Sequence, residues 1–548
     1  MNFIKYNSYK SLIITIFFIF LISGLMTFKD YGISIDEKFH RLNGFYWLNY
    51  ILSFTEFTNI KNLVSEKIPE ISDFTLADVE KFNIYGIIYD LPAAYFEILF
   101  NFQETKNVYE FRHLLNFIFF FTSSIFFYKI LKSRFDKFSS LIGLLLYILS
   151  PRIYGESFYN SKDIIFLSLL TIAIYFCFNF FKNKKIADLI FFSFFSAACI
   201  QTRIIGVFLP FSFLVFFIFT LIANKNQISL LPKVLLYFIF SSIFLYVFWP
   251  YLWESPINNF FSIFLNLENL APDIQILFDG NYIDVNYMPF SYLPVWIFIS
   301  TPLFNSLMFV IGSFIIFFRF TNRLITFESL KLNHCDFWRG ENEKKDLFIF
   351  FNFYVISLIL ITFNITLLNS WRYVFFLNIF MIYIATFSIY LLKMKIKKKL
   401  SVLFFKVALS ISVLLNIYNL IIYHPFQGLF FNAFLSSEYK NNFEVDHGAI
   451  SGKSALNWIL ENDRAKEINI AVASWSPLYR NIDAMKDENK GKINIIGQNY
   501  NDASYIYTNN ISEVDKSKDK KYDIPSVFTK VYDLNINNLI IYEIYKKK

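Results

Sequence analysis

Of the 548 residues, 55% are hydrophobic and only 17% charged, with a mean hydropathy of +0.43, which excludes a soluble globular chain with a polar exterior. The 74 Phe and 35 Tyr crowd into uncharged runs of about 20 residues, the length that crosses a bilayer. With 15 Gly and 14 Pro and no period, collagen-like and low-complexity chains are excluded too, and the net charge of +8, carried in short loops beside apolar runs, reads as a topology signal and not as nucleic-acid binding.

In chain order, the apolar runs predict membrane spans over residues 11–28, 111–131, 138–150, 163–181, 186–201, 204–222, 230–249, 292–318, 347–368, 373–392 and 400–423. The fold class expected is therefore mainly α: a polytopic membrane protein of about eleven transmembrane helices. The first run reads as a retained span and not a secretory signal, because it exceeds the usual h-region of about 7 to 15 residues and no A-x-A-like site follows. With the amino end inside, the connections assigned to the cytoplasm collect Lys5 and Lys10, Lys129 to Lys137, Lys182 to Lys185, Lys225, Arg319 and Arg323, and Lys393 to Lys399, as the positive-inside rule requires. The loops 29–110 and 250–291 and the chain beyond Tyr423 then share the outer face. Two domains follow: 1–423 in the membrane, with 29–110 as its large first outer loop, and 424–548 as an extracytoplasmic tail.

The first outer loop opens Asp30-Tyr-Gly-Ile-Ser-Ile-Asp-Glu-Lys-Phe-His40. Asp36 and Glu37 lie within a few residues of the membrane, where partial desolvation and a like-charged neighbour raise proton affinity and suit a carboxylate to general-base work; the plain alternative is a solvated loop start. Farther on, Tyr89 to Phe100 is too polar for a crossing and suits a helix lying in the interface. Arg112 and His113 head the second span. Between the third and fourth, Ser150 to Asp163 packs Arg152, Glu156, Lys162 and Asp163 among Tyr154, Tyr159 and Asn160. Asp163 opens a helix, where it can act or simply cap, and Arg152 and Lys162 supply charge-assisted donors to a phosphate or snorkel from a turn. Arg203 and Arg372 stand at further outer span ends, and boundary charges of this kind are functional candidates.

Cys177, Cys199 and Cys335 show neither disulfide nor metal-ligand spacing and read as structural. His334-Cys335 is a lone pair in a loop, and Ser451-Gly-Lys-Ser454 lacks the upstream Gly and preceding strand of a phosphate-binding loop. The tail is polar, with strand-like runs at Ile468–Ser474, Lys492–Ile496 and Leu539–Tyr542 and a helical stretch at Ser454–Glu461, which predicts a small α/β domain.

The Asp-Glu pair at Asp36 and Glu37 after the first span resembles that of the GT-C glycosyltransferases, specifically glycosyltransferase family 39, the protein O-mannosyltransferase and aminoarabinose transferase group. Phe111-Arg-His-Leu-Leu-Asn116 is similar to the Arg-led second span of that group, and Asn160-Ser-Lys-Asp163 to its second acidic position. Tyr251 to Pro256, Tyr292 to Trp296, Ser370 to Tyr373 and His424 to Asn432 resemble segments of the same superfamily. The resemblance implies inverting transfer of a sugar from a polyprenyl-phosphate donor to an acceptor hydroxyl at the outer face of a bacterial inner membrane. Asp36 would be the base, with Glu37 beside it and Asp163 as the second acidic residue of the catalytic site, and Arg112, Arg152, Lys162, Arg203 and Arg372 would bind the departing phosphate. It implies no certain cofactor, leaving a divalent cation between Asp36 and Asp163 open, and no nucleic-acid partner; the acceptor, whether lipid, polysaccharide or protein, is not fixed.

Two other classes compete. A transporter or flippase for lipid-linked saccharides should carry mid-span charges or Gly/Pro breaks and related halves, whereas the charges here cluster at outer span ends. A polymerase or ligase of lipid-linked saccharides should carry its key Arg and His in a late outer loop.

Overall fold

The computed structural model describes residues 2–71, 80–223, 225–266, 273–325 and 337–548; His334 and Cys335 lie outside the described residues. All eleven apolar runs are helical. Nine helices among the described residues are long and apolar enough to cross a membrane, ten if one bent pair counts as a span, and an apolar helix at Ile186–Thr202 is shorter. In chain order the elements are α1 (Asn2–Thr27), α2 (Glu37–Leu52), α3 (Thr58–Ile71), α4 (Asp90–Phe100), α5 (Thr105–Lys132), α6 (Lys137–Ile148), α7 (Pro151–Tyr159), α8 (Asp163–Asn183), α9 (Ile186–Thr202), α10 (Phe208–Ala223), α11 (Leu231–Val247), α12 (Pro256–Asn266), β1 (Gln275–Phe278), β2 (Asn281–Asp284), α13 (Tyr292–Ser300), α14 (Leu303–Ile325), α15 (Gly340–Thr362), α16 (Leu377–Lys395) and α17 (Lys399–Ile422).

Helix α8 is the centre: 83% of its apolar window is buried inside the protein, against 11% for α1 and 17% for α17, so α8 is hydrophobic all round because protein surrounds it, and α1 and α17 because lipid does. Helices α5 and α9 pack on α8, and α14 packs on α16. Three boundaries differ from the sequence expectation. The run 292–318 is two helices, broken at Thr301-Pro302, because the residue before a proline is pushed out of helical conformation. The run expected at 347–368 is helical from Gly340, so Lys344, Lys345 and Asp346 lie inside a helix, buried. The run expected to begin at 373 starts at Leu377, behind a turn in which Asn369 and Ser370 adopt positive φ. The third run ends in a 57° bend into α7, where Pro151 lacks an N–H to continue α6 and starts a new helix instead.

Helix α4 is turned inside out. Asp90, Ala93, Ala94 and Glu97 make its buried face, while Tyr95, Phe96, Leu99 and Phe100 are exposed. A helix that hides carboxylates and shows aromatics is built to rest against lipid.

Beyond α17 the chain first runs back along the bundle, where Asn432 donates its backbone N–H to Ile299 at 2.8 Å, then folds into α18 (Gly452–Asn462), β3 (Ile468–Val472), the single turn α19 (Asp487–Lys490), β4 (Ile493–Ile495), β5 (Tyr505–Thr508), β6 (Phe528–Ile536) and β7 (Leu539–Lys547). The sheet order is β4-β3-β5-β7-β6, with β3 parallel to β4 and β5 and the last three strands antiparallel. The β1–β2 hairpin leans on this tail: Gln275 donates to Glu513 O at 2.7 Å, and Glu444 to Leu277 O at 3.2 Å.

Candidate active site

Every charged group of the site sits at the end of an element, and those ends meet on one side of the bundle. Asp36 lies in the α1–α2 turn, Asp163 is the first residue of α8, Arg203 follows α9, and Arg372 stands in the short turn before α16. Arg372 Nη1 lies 2.7 Å from Asp36 Oδ2, and its Nε lies 3.6 Å from Asp163 Oδ2. Arg203 pairs closely with the other oxygen of Asp163 and lies over the Tyr373 ring at 4.4 Å. Asn160 donates its side-chain amide to Asp163 at 2.9 Å and to Glu156 at 2.8 Å.

The groups differ in access. Arg372 and Asp163 are buried, but 47% of the Asp36 side-chain surface is open. Desolvation in the recess raises the proton affinity of Asp36, but the charges of Arg372, then His40 and Arg203, outweigh it and hold the carboxyl below its ordinary range. In this state Asp36 is an ionised but weak base.

Arg152 is buried nearby on α7. It donates from Nε to Phe430 O at 2.9 Å and from Nη1 to Ser370 Oγ at 3.1 Å, two residues from Arg372, and stacks on Trp296 and Phe431; among the described residues no carboxylate is within ion-pair reach of it. Lys162 faces a different partner, Asp90 at the head of α4, at 2.9 Å, and lies over the Tyr85 ring at 4.1 Å. Asn43 donates to the same carboxylate at 2.6 Å and His40 lies 3.6 Å from it. Desolvation pushes Asp90 up, but Lys162 and His40 hold it well below the carboxylate range.

Glu37 and Arg112 are turned elsewhere. Glu37 accepts from Ser34 N at 2.7 Å and meets His113 at 3.0 Å. Arg112 lies 3.5 Å from Glu97, which is held mainly by Arg41 at 3.0 Å. The structure thus joins Asp36, Asp163, Arg203 and Arg372 directly, sets Arg152 and Lys162 at the flanks, and gives Glu37 and Arg112 their own ion pairs. Asp90 and His40 went unassigned in the sequence, although Asp90 opens an apolar helix just as Asp163 does, and that signal was readable.

The tail closes one side. Ile35 donates its backbone N–H to Gly448 O at 2.9 Å, and Ile33 donates to Asn481 Oδ1 at 2.9 Å. Gly32 passes so close to Ile450 that a Cβ there would fall on the Ile450 carbonyl oxygen. Asp446 and Ala449 hold positive φ, a costly backbone for non-glycine residues that surrounding bonds must over-determine: the Asp446 carboxylate accepts from Ile450 N at 2.9 Å, Ser451 N at 3.2 Å and Asn509 at 3.3 Å. The turn carries His447, which interacts electrostatically with Asp36.

Asp36 and Asp163 each face a guanidinium, and among the described residues no three His, Cys, Asp or Glu side chains converge as ligands.

Residues 100–253 match the family model for dolichyl-phosphate-mannose-protein mannosyltransferase, a stretch that contains Arg112, Arg152, Lys162, Asp163 and Arg203. No curated protein matches the chain. Among solved structures, ArnT from Cupriavidus metallidurans bound to undecaprenyl phosphate aligns over 84% of this chain and 88% of that one, at 10% identity and a TM-score of 0.39. The Archaeoglobus fulgidus oligosaccharyltransferase in complex with Zn and sulfate aligns over 78% of this chain and 59% of that one, at 10% identity and a TM-score of 0.38. The segment of this multi-pass helical chain that carries Arg112, Arg152, Lys162, Asp163 and Arg203 is thus similar to a family of mannosyltransferases that use a dolichyl-phosphate donor.

Proposed function

We propose that the chain transfers a sugar from a polyprenyl-phosphate donor to an acceptor hydroxyl on the extracytoplasmic side of a bacterial inner membrane, with inversion and with Asp36 as base. The observation that carries this reading is the half-open Asp36 carboxylate lying 2.7 Å from a buried guanidinium that also reaches Asp163. The matched family's description names a lipid-phosphate sugar donor, and the site has the charges such a donor needs. In a single displacement the acceptor oxygen forms its bond to the anomeric carbon as the carbon–oxygen bond to phosphate breaks. The acceptor proton goes to Asp36 and the electron pair leaves on the polyprenyl phosphate. Arg372 and Arg203, with Arg152 behind them, meet the charge that develops on the leaving group as preorganised donors. A double displacement with retention would need a second open carboxylate as nucleophile; Asp163 is buried and engaged by Arg203. Helix α4, with its aromatic side outward, and the tail bound to the Asp36 loop support a site at the membrane surface beneath the α/β domain.

The test is transfer from a radiolabelled polyprenyl-phosphate hexose by membranes containing the protein. Asp36→Asn, expressed to the same level, should lose about 10² to 10⁴ of the rate, the range for removal of a general base. Transfer by Asp36→Asn at the wild-type rate would sink the assignment, and hexose crossing sealed vesicles without bond formation would replace it with transport.

A further inference from the structure

Asp36 and a donor phosphate want the same cation. The carboxylate of Asp36 has one ion-pair partner at contact distance among the described residues, Arg372. Asp163, the second acid near Arg372, keeps Arg203 as a closer partner of its own, so it can release Arg372 without being stranded. Charge around the inner cluster is nearly balanced: Arg372 and Arg203 against Asp36 and Asp163. A phosphate entering that cluster adds negative charge beside two carboxylates already paired with its guanidinium groups, a cost that is relieved when a carboxylate gives up its guanidinium or takes a proton. Mobility decides which group yields. Arg372 is buried, held between two acids and beside the Tyr373 ring at 5.2 Å, whereas Asp36 is half open to solvent.

We infer that the donor phosphate displaces Asp36 from Arg372, so that Asp36 is a paired, weak base in the empty enzyme and an unpaired, stronger one once the donor is seated. The idea rests on the donor reading given above. It ties the two halves of the reaction together: the event that positions the leaving group also removes the cation that suppresses the base. The other titratable and charged groups facing Asp36 are His40 on α2, Arg203 after α9 and His447 on the tail; none pairs with it at contact distance, so none replaces Arg372 when it leaves.

The experiment is binding of undecaprenyl phosphate, a polyprenyl phosphate without sugar, to the purified full-length protein by calorimetry. Removing the competing carboxylate with Asp36→Asn should tighten binding about tenfold, although the same substitution abolishes transfer. The tightening should depend on Arg372: in an Arg372→Ala background, Asp36→Asn should change Kd less than twofold, which a double-mutant cycle reads as coupling. Arg372→Lys keeps a cation and serves where Arg372→Ala does not fold; there the gain should be intermediate. Equal tightening with and without Arg372 would mean general repulsion only and would overturn the inference, as would no tightening at all. If neither the wild type nor Asp36→Asn binds the lipid, the donor reading itself fails, and the inference falls with it.

Discussion

Asp446 shows what a single buried carboxylate contributes to the coupling of tail and site. Desolvation raises its pKa to about 6, against which the hydrogen bonds from Ser451, Asn509 and Ile450 work only in part. Because the folded pKa lies above the unfolded value of 3.8, the native state binds the extra proton, and stability falls as pH rises from about 4 through 6. A shift near two units corresponds to about 3 kcal/mol between the extremes. Thermal unfolding of wild type and Asp446→Asn between pH 5 and 8 should therefore diverge: the wild type gains stability toward pH 5 relative to the variant, and Asn tolerates the positive φ at this position. Parallel pH profiles would show that Asp446 does not titrate in this window. At this scale the sequence offered the residue types and not their partners. Asp36 and Glu37 read as one acidic doublet, yet neighbouring positions at a helix start point in different directions: Asp36 meets Arg372, 336 residues away, while Glu37 turns back to Ser34 and across to His113. Nothing in the local pattern separates the two.

Among elements, the end of the bundle away from the site is stapled by one acid. Asp346 on α15 is fully buried; Arg134, in the α5–α6 turn, donates to it at 2.9 and 2.8 Å, Arg319 of α14 at 3.0 Å and Tyr383 of α16 at 3.0 Å. Asp346→Ala strands Arg134 without its counter-ion and should cost about 3 to 5 kcal/mol, seen as a lower thermal midpoint in detergent, while the Kd for undecaprenyl phosphate in the folded fraction stays put. A midpoint within experimental error of wild type would remove the staple from the account of stability. This acid also explains why α15 starts ahead of its apolar run: charges mark span boundaries in the sequence, yet Glu341, Glu343, Lys344, Lys345 and Asp346 all lie in the helix, the last three buried against groups from other elements. Helix existence was legible throughout from apolar runs. The break at Pro302 and the bend before Pro151 were written in the prolines, but read as continuous or merely short spans. The role of α4 was readable in part, since its mixed composition suited an interface, but which side faces inward depends on Arg41, Lys162 and Asn43 of other segments.

For the whole molecule, the cation-rich turns lie at the opposite helix ends from Asp36, Asp163 and Arg372, so sidedness is testable at a distance from the chemistry. In a Cys335→Ser background, Lys518→Cys in the tail should react with a membrane-impermeant maleimide on intact cells, and Lys397→Cys only after permeabilisation; the reverse pattern would put the site in the cytoplasm. The tail's α/β character could be read from its short apolar strands, whereas its bond to the Asp36 loop could not, because that contact is made by backbone groups and by Asn481, which carry no distinctive sequence signal.

The absence of a side chain at Gly32 has an evolutionary corollary. Since the Asp36 loop and the carboxyl-terminal part of the chain meet there with no spare volume, that part is not an interchangeable attachment. A lineage adopting a new one would have to refit the surroundings of its Asp36 loop in the same stroke, so innovation at this seam should arrive as paired substitutions and not as domain shuffling.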